Sequence, residues 1–175
     1  MPTDSRSVAN YLLVKARAEE NPLTPLQLVK LVYISHGWTL GLTQKPLSIQ
    51  SVYAWPYGPV IPEVYHAFKQ FGNGMIDGPA LYFDLETGAH RSYVATFSPI
   101  EKEIVDKVWV AYKAFSGPQL STITHRPGTP WATVTAGIPS DRIRDILIPN
   151  EIIRDHYREL ALRNKATQEA SGGGD

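Results

Sequence analysis

TPLQLVKLVYISHGWTL, residues 24–40, decides the fold class, because it carries the clearest helix signals in the chain. Thr24 offers a side-chain oxygen to cap the helix, and Pro25 takes the first helical position, where a missing N–H costs nothing. Gln27 is placed to close a capping box, and Leu23 and Leu28 stand where a hydrophobic staple would join them. Leu28, Leu31, Val32, Ser35 and Trp38 fall on one stripe, which predicts a helix to about Leu40 lying against a core.

Toward the N-terminus, Thr3, Asp4 and Ser5 offer caps for an earlier helix. Val8, Tyr11, Leu12 and Ala16 carry it to about Glu20, and Asn21-Pro22 stops it. Toward the C-terminus, periodicity fails from Gly41 to Pro59, and YAWPYGPV (residues 53–60) reads as an ordered loop. Pro62 opens a third helix with Val64, Tyr65, Phe68 and Phe71 facing inward, closed by Gly72, Asn73 and Gly74. Residues 80–97 change to β-branched and aromatic types around Glu86-Thr87-Gly88, with Tyr82, Phe83, Tyr93, Val94 and Thr96 on the flanks. A two-stranded antiparallel hairpin is predicted there, and its marginal stability in water requires one face to rest on the helices.

Ser98, Pro99 and Glu101 repeat the cap, proline and capping-box arrangement, with Ile100, Ile104, Val105, Val108, Tyr112 and Phe115 as the apolar face and Gly117 as the stop. A short helix is predicted over Pro118 to Thr124 and another from Thr129-Pro130. Pro149-Asn150 introduces the last helix, in which Ile152, Ile153, Tyr157, Leu160 and Ala161 share a side. Glu151 with Arg154, and Asp155 with Arg158, are spaced to pair on its surface. After Lys165 the chain turns polar, so residues 166–175 are expected to be disordered. The expected fold class is mainly α (α+β): a compact helical domain over residues 1–165 with a small antiparallel hairpin.

Composition narrows function. Hydrophobic residues at 43% and charged residues at 19% describe a chain that folds rather than a disordered one. Basic and acidic residues balance at 17 each, so no global field draws the protein to nucleic acid or an anionic membrane. Without cysteine, disulfides and thiolate chemistry are excluded. No apolar run is long enough for a signal peptide or a membrane span, so a cytoplasmic protein is expected.

Two segments in order carry a family resemblance. LQLVKLVYISHGWTLGLTQKPLSIQSVYAWPYGPVIPEVYHAFKQFG (residues 26–72) contains Lys30, Leu31, Tyr33, His36, Gly37 and Trp38, then Lys45-Pro46-Leu47, then Ala54, Trp55, Tyr57, Gly58, Pro59 and Val60. LSTITHRPGTPW (residues 120–131) contains Leu120, Ser121, Thr124, His125, Pro130 and Trp131. Together they resemble the Panacea domain of antitoxins from bacteria and their phages, of SocA-like and GepA-like types. The resemblance covers roughly residues 8–135. It implies an antitoxin that neutralises a cognate toxin by direct binding, or, in the SocA type, by presenting it to a ClpXP-type protease. It implies no catalytic residue, metal or cofactor.

Tyr53, Trp55 and Tyr57, with Glu63 and His66 on the adjoining helix, are the candidate partner contacts, since aromatic anchors dominate binding hot spots. The aromatic loop reads more readily still as a plug packed on its own helices, as loops rich in Trp, Gly and Pro often are. A hydrolase using His36 or His125 is the rival from another class. Neither histidine has a nucleophile elbow or a zinc-helix motif beside it, so both are expected to be partly buried and satisfied by backbone or carboxylate groups. His66 and His156 are expected on solvent faces. The glycines form no phosphate-binding loop.

Overall fold

The computed structural model describes residues 1–172. The capping signals open the helices where they stand. Asp4 caps α1 (Ser5–Ala18) through the Arg6 N–H, Thr24 and Gln27 form the capping box of α2 (Pro25–Thr43), and Ser98 and Glu101 form that of α4 (Pro99–Tyr112). Each such cap stabilises its helix by about 1 kcal/mol. Ser116 with Gln119 adds a third capping box at the start of α5 (Gly117–His125), and Thr129 caps α6 (Pro130–Thr135). The fold is mainly α with small antiparallel sheets.

The second helix is more central than its stripe suggests. It is buried on nearly every side, by α1, α4, α5 and α7 (Asn150–Gly172), which makes it the axis of the hydrophobic core. The approach of α7 depends on small residues. A Cβ on Gly37 would lie 2.2 Å from the Tyr157 ring, and one on Gly41 would lie 2.8 Å from the Arg158 backbone nitrogen. Tyr157 fills the space between, edge-on to Trp38 at 5.3 Å and to Tyr33 at 6.2 Å.

The expected loop over 41–59 is corrected. Val52–Trp55 is a strand, β1, which turns through Pro56-Tyr57 into β2 (Gly58–Val60). The far-removed Ile146–Ile148, β5, pairs on the other side of β1, giving the order β2-β1-β5, all antiparallel. Val52, Ala54 and Ile148 face the core, while Tyr53 and Trp55 share the outer face.

The second sheet is the expected hairpin, β3 (Leu81–Asp84) with β4 (Ala89–Ser92), but its strands do not rest on the helices as the marginal stability of hairpins required. All of β4 is exposed, as are Leu81, Tyr82 and Phe83. Support comes from its base instead. The buried Asn10 donates to the carbonyls of Ala80 and Tyr93 at 3.0 and 2.9 Å, and accepts from the Ala80 N–H at 2.7 Å.

In α3 (Pro62–Phe68), Val64 and Phe68 are buried as expected but Tyr65 turns outward, and in α4 Ile100 is likewise exposed. The last helix continues past Lys165 to Gly172 where a disordered tail was expected, and the remainder of that tail, residues 173–175, lies outside the described residues. Arg154 pairs with its neighbour Asp155 at 2.9 Å, so the expected partnership with Glu151 is not made. His156 is half-buried rather than on an open face.

Candidate partner-binding surface

The β1–β2 turn is fastened by side chains from three other elements. Trp131 on α6 donates its indole N–H to the Trp55 oxygen at 2.8 Å, His125 Nε2 lies 3.1 Å from the Pro56 oxygen, and Ser121 Oγ donates to the Tyr57 oxygen at 3.2 Å. From below, the Lys30 ammonium donates to the Pro59 oxygen at 3.0 Å. Gly58 makes the close fit possible. It adopts φ +106°, and a Cβ there would meet Lys30 Nζ at 2.5 Å and His125 Cε1 at 2.9 Å.

Lys30 is only 1% exposed, and burial lowers its pKa to about 7. The stripe along the second helix gave no hint of this, because a helix buried on all sides has no face that marks a lysine as interior. His125 sits 4.1 Å, centroid to centroid, from the Trp131 ring, and its Nδ1 lies 2.5 Å from the Ser121 oxygen. Thr124 returns its hydroxyl to the Leu120 carbonyl at 3.0 Å.

His36 belongs to a separate, sealed cluster. Its Nδ1 accepts the Ser48 N–H at 3.2 Å, which leaves the ring hydrogen on Nε2 to donate to Asn150 Oδ1 at 3.1 Å. At 0% exposure, with burial lowering its pKa to about 4 against a smaller opposing effect of the Asn150 hydrogen bond, it is a neutral strut between α2, α7 and the segment before β1. His36 is satisfied at both nitrogens, an amide and a backbone N–H taking the place of any carboxylate, whereas both nitrogens of His125 face carbonyl oxygens, to one of which a neutral ring can donate. Among the described residues no group of three or more His, Asp or Glu side chains is placed to hold a metal ion, and no helix is long and apolar enough to cross a membrane.

Above the fastened turn, Tyr57 stands 75% exposed. Trp55 is half-buried beside it, its N–H donated to Asp145 Oδ1 at 2.7 Å, its ring edge-on to Tyr65 at 4.9 Å and 6.2 Å from His66. The Arg144 guanidinium lies 6.0 Å from the same indole. Tyr53 is half-buried on the same strand face, with Leu147 opposite it. Trp55, Tyr57 and His66 are therefore accessible in part or fully. Glu63 departs from this pattern, because one of its carboxylate oxygens is buried without a hydrogen-bond partner.

The two sequence segments, far apart in the chain, thus meet in one assembly of turn and staples. The family described as "Antitoxin SocA-like, Panacea domain" matches residues 28–132, which span this assembly from α2 to Trp131. The chain belongs to that family. It is 32% identical to the Antitoxin SocA of Caulobacter vibrioides over 158 residues, covering 89% of this chain and 82% of that relative. No solved structure matches the chain.

Within this Panacea-domain chain the motif residues divide by role. Lys30, Gly58, Pro59, His125 and Trp131 build and hold the turn, Thr124 bonds back within α5 and Pro130 opens α6, whereas Tyr33, His36 and Trp38 pack α2 against α7 and its flanks. Sequence reasoning missed Tyr65, Arg144 and Asp145 on the exposed side. Tyr65 was assigned inward from helical spacing alone, and the two others precede a strand whose pairing with β1 is non-local.

Proposed function

We propose that the protein neutralises a cognate toxin by direct protein–protein binding, using the outward aromatic side chains around the β1–β2 turn and no catalytic step of its own. Residues 1–165 form the binding unit in this reading, and it works beside its toxin in the cytoplasm. The supporting observation is Tyr57, exposed at the tip of a turn whose carbonyls at 55, 56, 57 and 59 are all engaged. An aromatic side chain on a turn that is already fixed loses little conformational freedom when it docks, so its buried area goes into affinity. Trp55, Tyr53 and His66 extend the same surface, with Glu63 at its margin. The hydrolase alternative has no support in His36, which no substrate can reach.

The test is growth rescue on co-expression with the toxin encoded beside the gene, together with the affinity of the purified pair. Tyr57→Ser alters a largely exposed tip, so folding is retained, and the binding constant is expected to weaken by about tenfold or more, the range of an aromatic hot spot. A wild-type protein that forms no complex with that toxin, or one that rescues growth only in cells with an intact ClpXP-type protease, would overturn neutralisation by binding.

A further inference from the structure

We infer that the free edge of β3 takes up an extended, uncharged segment of the toxin as a third strand of the hairpin sheet. The inference rests on the proposed toxin binding and names a second contact, separate from the aromatic turn.

The register sets out the edge. In antiparallel pairs, bonded and non-bonded positions alternate. The Tyr93 N–H donates to the Ala80 oxygen at 3.3 Å, which makes 80 and 93 a bonded pair. The pairs Leu81↔Ser92 and Phe83↔His90 are then non-bonded ones. Leu81 and Phe83 accordingly turn their N–H and C=O groups away from β4, at a spacing that matches the backbone of another strand.

Side chains distinguish the two edges. Edge strands are protected against pairing by charge, and β4 reads Ala-His-Arg-Ser, with Arg91 at its centre. The opposite strand reads Leu-Tyr-Phe-Asp, and its one charge, Asp84, stands at the loop end, paired across the hairpin to that same Arg91 at 2.6 Å, so the outward positions 81 and 83 carry none. Leu81 and Phe83 are 51% and 53% exposed, and Leu85 beyond them 88%. Among the described residues no strand or helix covers them, and a two-stranded hairpin with its faces open lacks the packing that stabilises such sheets. The Asn10 clamp holds the base in place, so the edge is preorganised for a strand. At that base the hairpin opens on a groove of about 690 Å³, bordered by Tyr11 and Val14 of α1 with Ile76, Tyr93 and Val94. The partner segment is therefore extended, apolar on alternate residues and free of Lys, Arg, Asp and Glu along the paired stretch.

Proline scanning with the full chain and the purified toxin tests this. Phe83→Pro removes an outward N–H and spares the hairpin's own bonds, and His90→Pro does the same on the β4 edge. Toxin affinity is expected to fall by about tenfold for Phe83→Pro and to stay near wild type for His90→Pro. Leu81→Lys, which keeps the backbone donor but adds a guarding charge, is expected to weaken binding as well. In the wild-type complex the Leu81 and Phe83 amides are expected to exchange with deuterium more slowly than in the free protein. Equal affinity of Phe83→Pro and wild type, equal loss in both proline variants, or unchanged exchange at Leu81 and Phe83 would overturn the strand while leaving toxin binding intact. Absence of any wild-type complex would remove both readings.

Discussion

Lys30 reaches from the middle of α2 to the carbonyl oxygen of Pro59, 3.0 Å away, and is buried along its whole length. An ammonium ion removed from water is costly, and the hydrogen bond to Pro59 offsets only part of that cost. Its pKa falls from 10.5 to about 7 for that reason. The folded state therefore binds this proton less readily than the unfolded state does. Above pH 10.5 the lysine is neutral in both states and the penalty vanishes, and as pH falls toward 7 the penalty grows to its full size. Lys30→Met keeps the length and removes the charge. At pH 7 its melting midpoint is expected to exceed that of wild type by a few degrees, at about 2–4 °C per kcal/mol for a chain of this size. The difference is expected to shrink as pH rises from 7 to 10.5, which thermal melts across that range would read directly.

His36 produces a slope of the same sign at lower pH. Burial lowers its pKa from 6.5 to about 4, so the stability its neutral form contributes is present above pH 6.5 and is lost as pH falls through 4. At full protonation the loss is on the order of 3 kcal/mol. His36→Gln carries no titrating group and is expected to lack this part of the acid dependence. Urea unfolding of the two proteins between pH 4 and 7 measures it, and parallel profiles would count against the sealed-strut assignment.

Much of the helical frame was readable in the residues themselves. Thr24 with Gln27 and Ser98 with Glu101 mark helix starts by local hydrogen bonding, which depends on a few adjacent positions and needs no tertiary context. The three-stranded sheet escaped because β1 and β2 are short, flank or include prolines, and are completed by Ile146–Ile148 from a distant part of the chain. The role of Asn10 escaped for a similar reason, since nothing near Asn10 in sequence announces Ala80 and Tyr93 as its partners. At the candidate surface, Trp55, Tyr57 and His66 were legible as aromatic and polar types in a Gly-Pro-rich stretch. Tyr65 was not, because α3 is too short for spacing to separate its inner from its outer face.

Gly37 measures how closely α7 lies on α2. An added methyl group would stand 2.2 Å from the Tyr157 ring, and the ring is fixed on both sides by Trp38 and Tyr33. Gly37→Ala gains helix propensity of roughly 1 kcal/mol, yet forces a shift of a buried aromatic that costs about 1–3 kcal/mol. The net effect is expected to be destabilising, with near-ultraviolet circular dichroism of the tyrosine and tryptophan bands altered. Gly37→Ala paired with Tyr157→Leu is expected to recover part of the loss, since the clash is with the ring alone.

Asn10 holds the hairpin from inside the protein, so its removal separates the stability of the hairpin from that of the helical core. Asn10→Ala leaves the buried Ala80 N–H without its acceptor and frees two carbonyls, at a cost of about 1–3 kcal/mol. Asn10→Asp retains the acceptor but sets a carboxylate against the carbonyls of Ala80 and Tyr93, and is expected to be no better. Because neither strand packs on a helix, the damage stays local. Amides at the bonded positions Tyr82, Asp84, Ala89 and Arg91 are expected to exchange faster by tenfold or more in either variant, the factor set by about 1.4 kcal/mol of lost local stability, while those of α2 keep their wild-type rates. Toxin affinity is expected to weaken in step with hairpin exchange, since a frayed edge presents no preformed strand, whereas equal acceleration across α2 and the hairpin would show that Asn10 supports the whole fold instead.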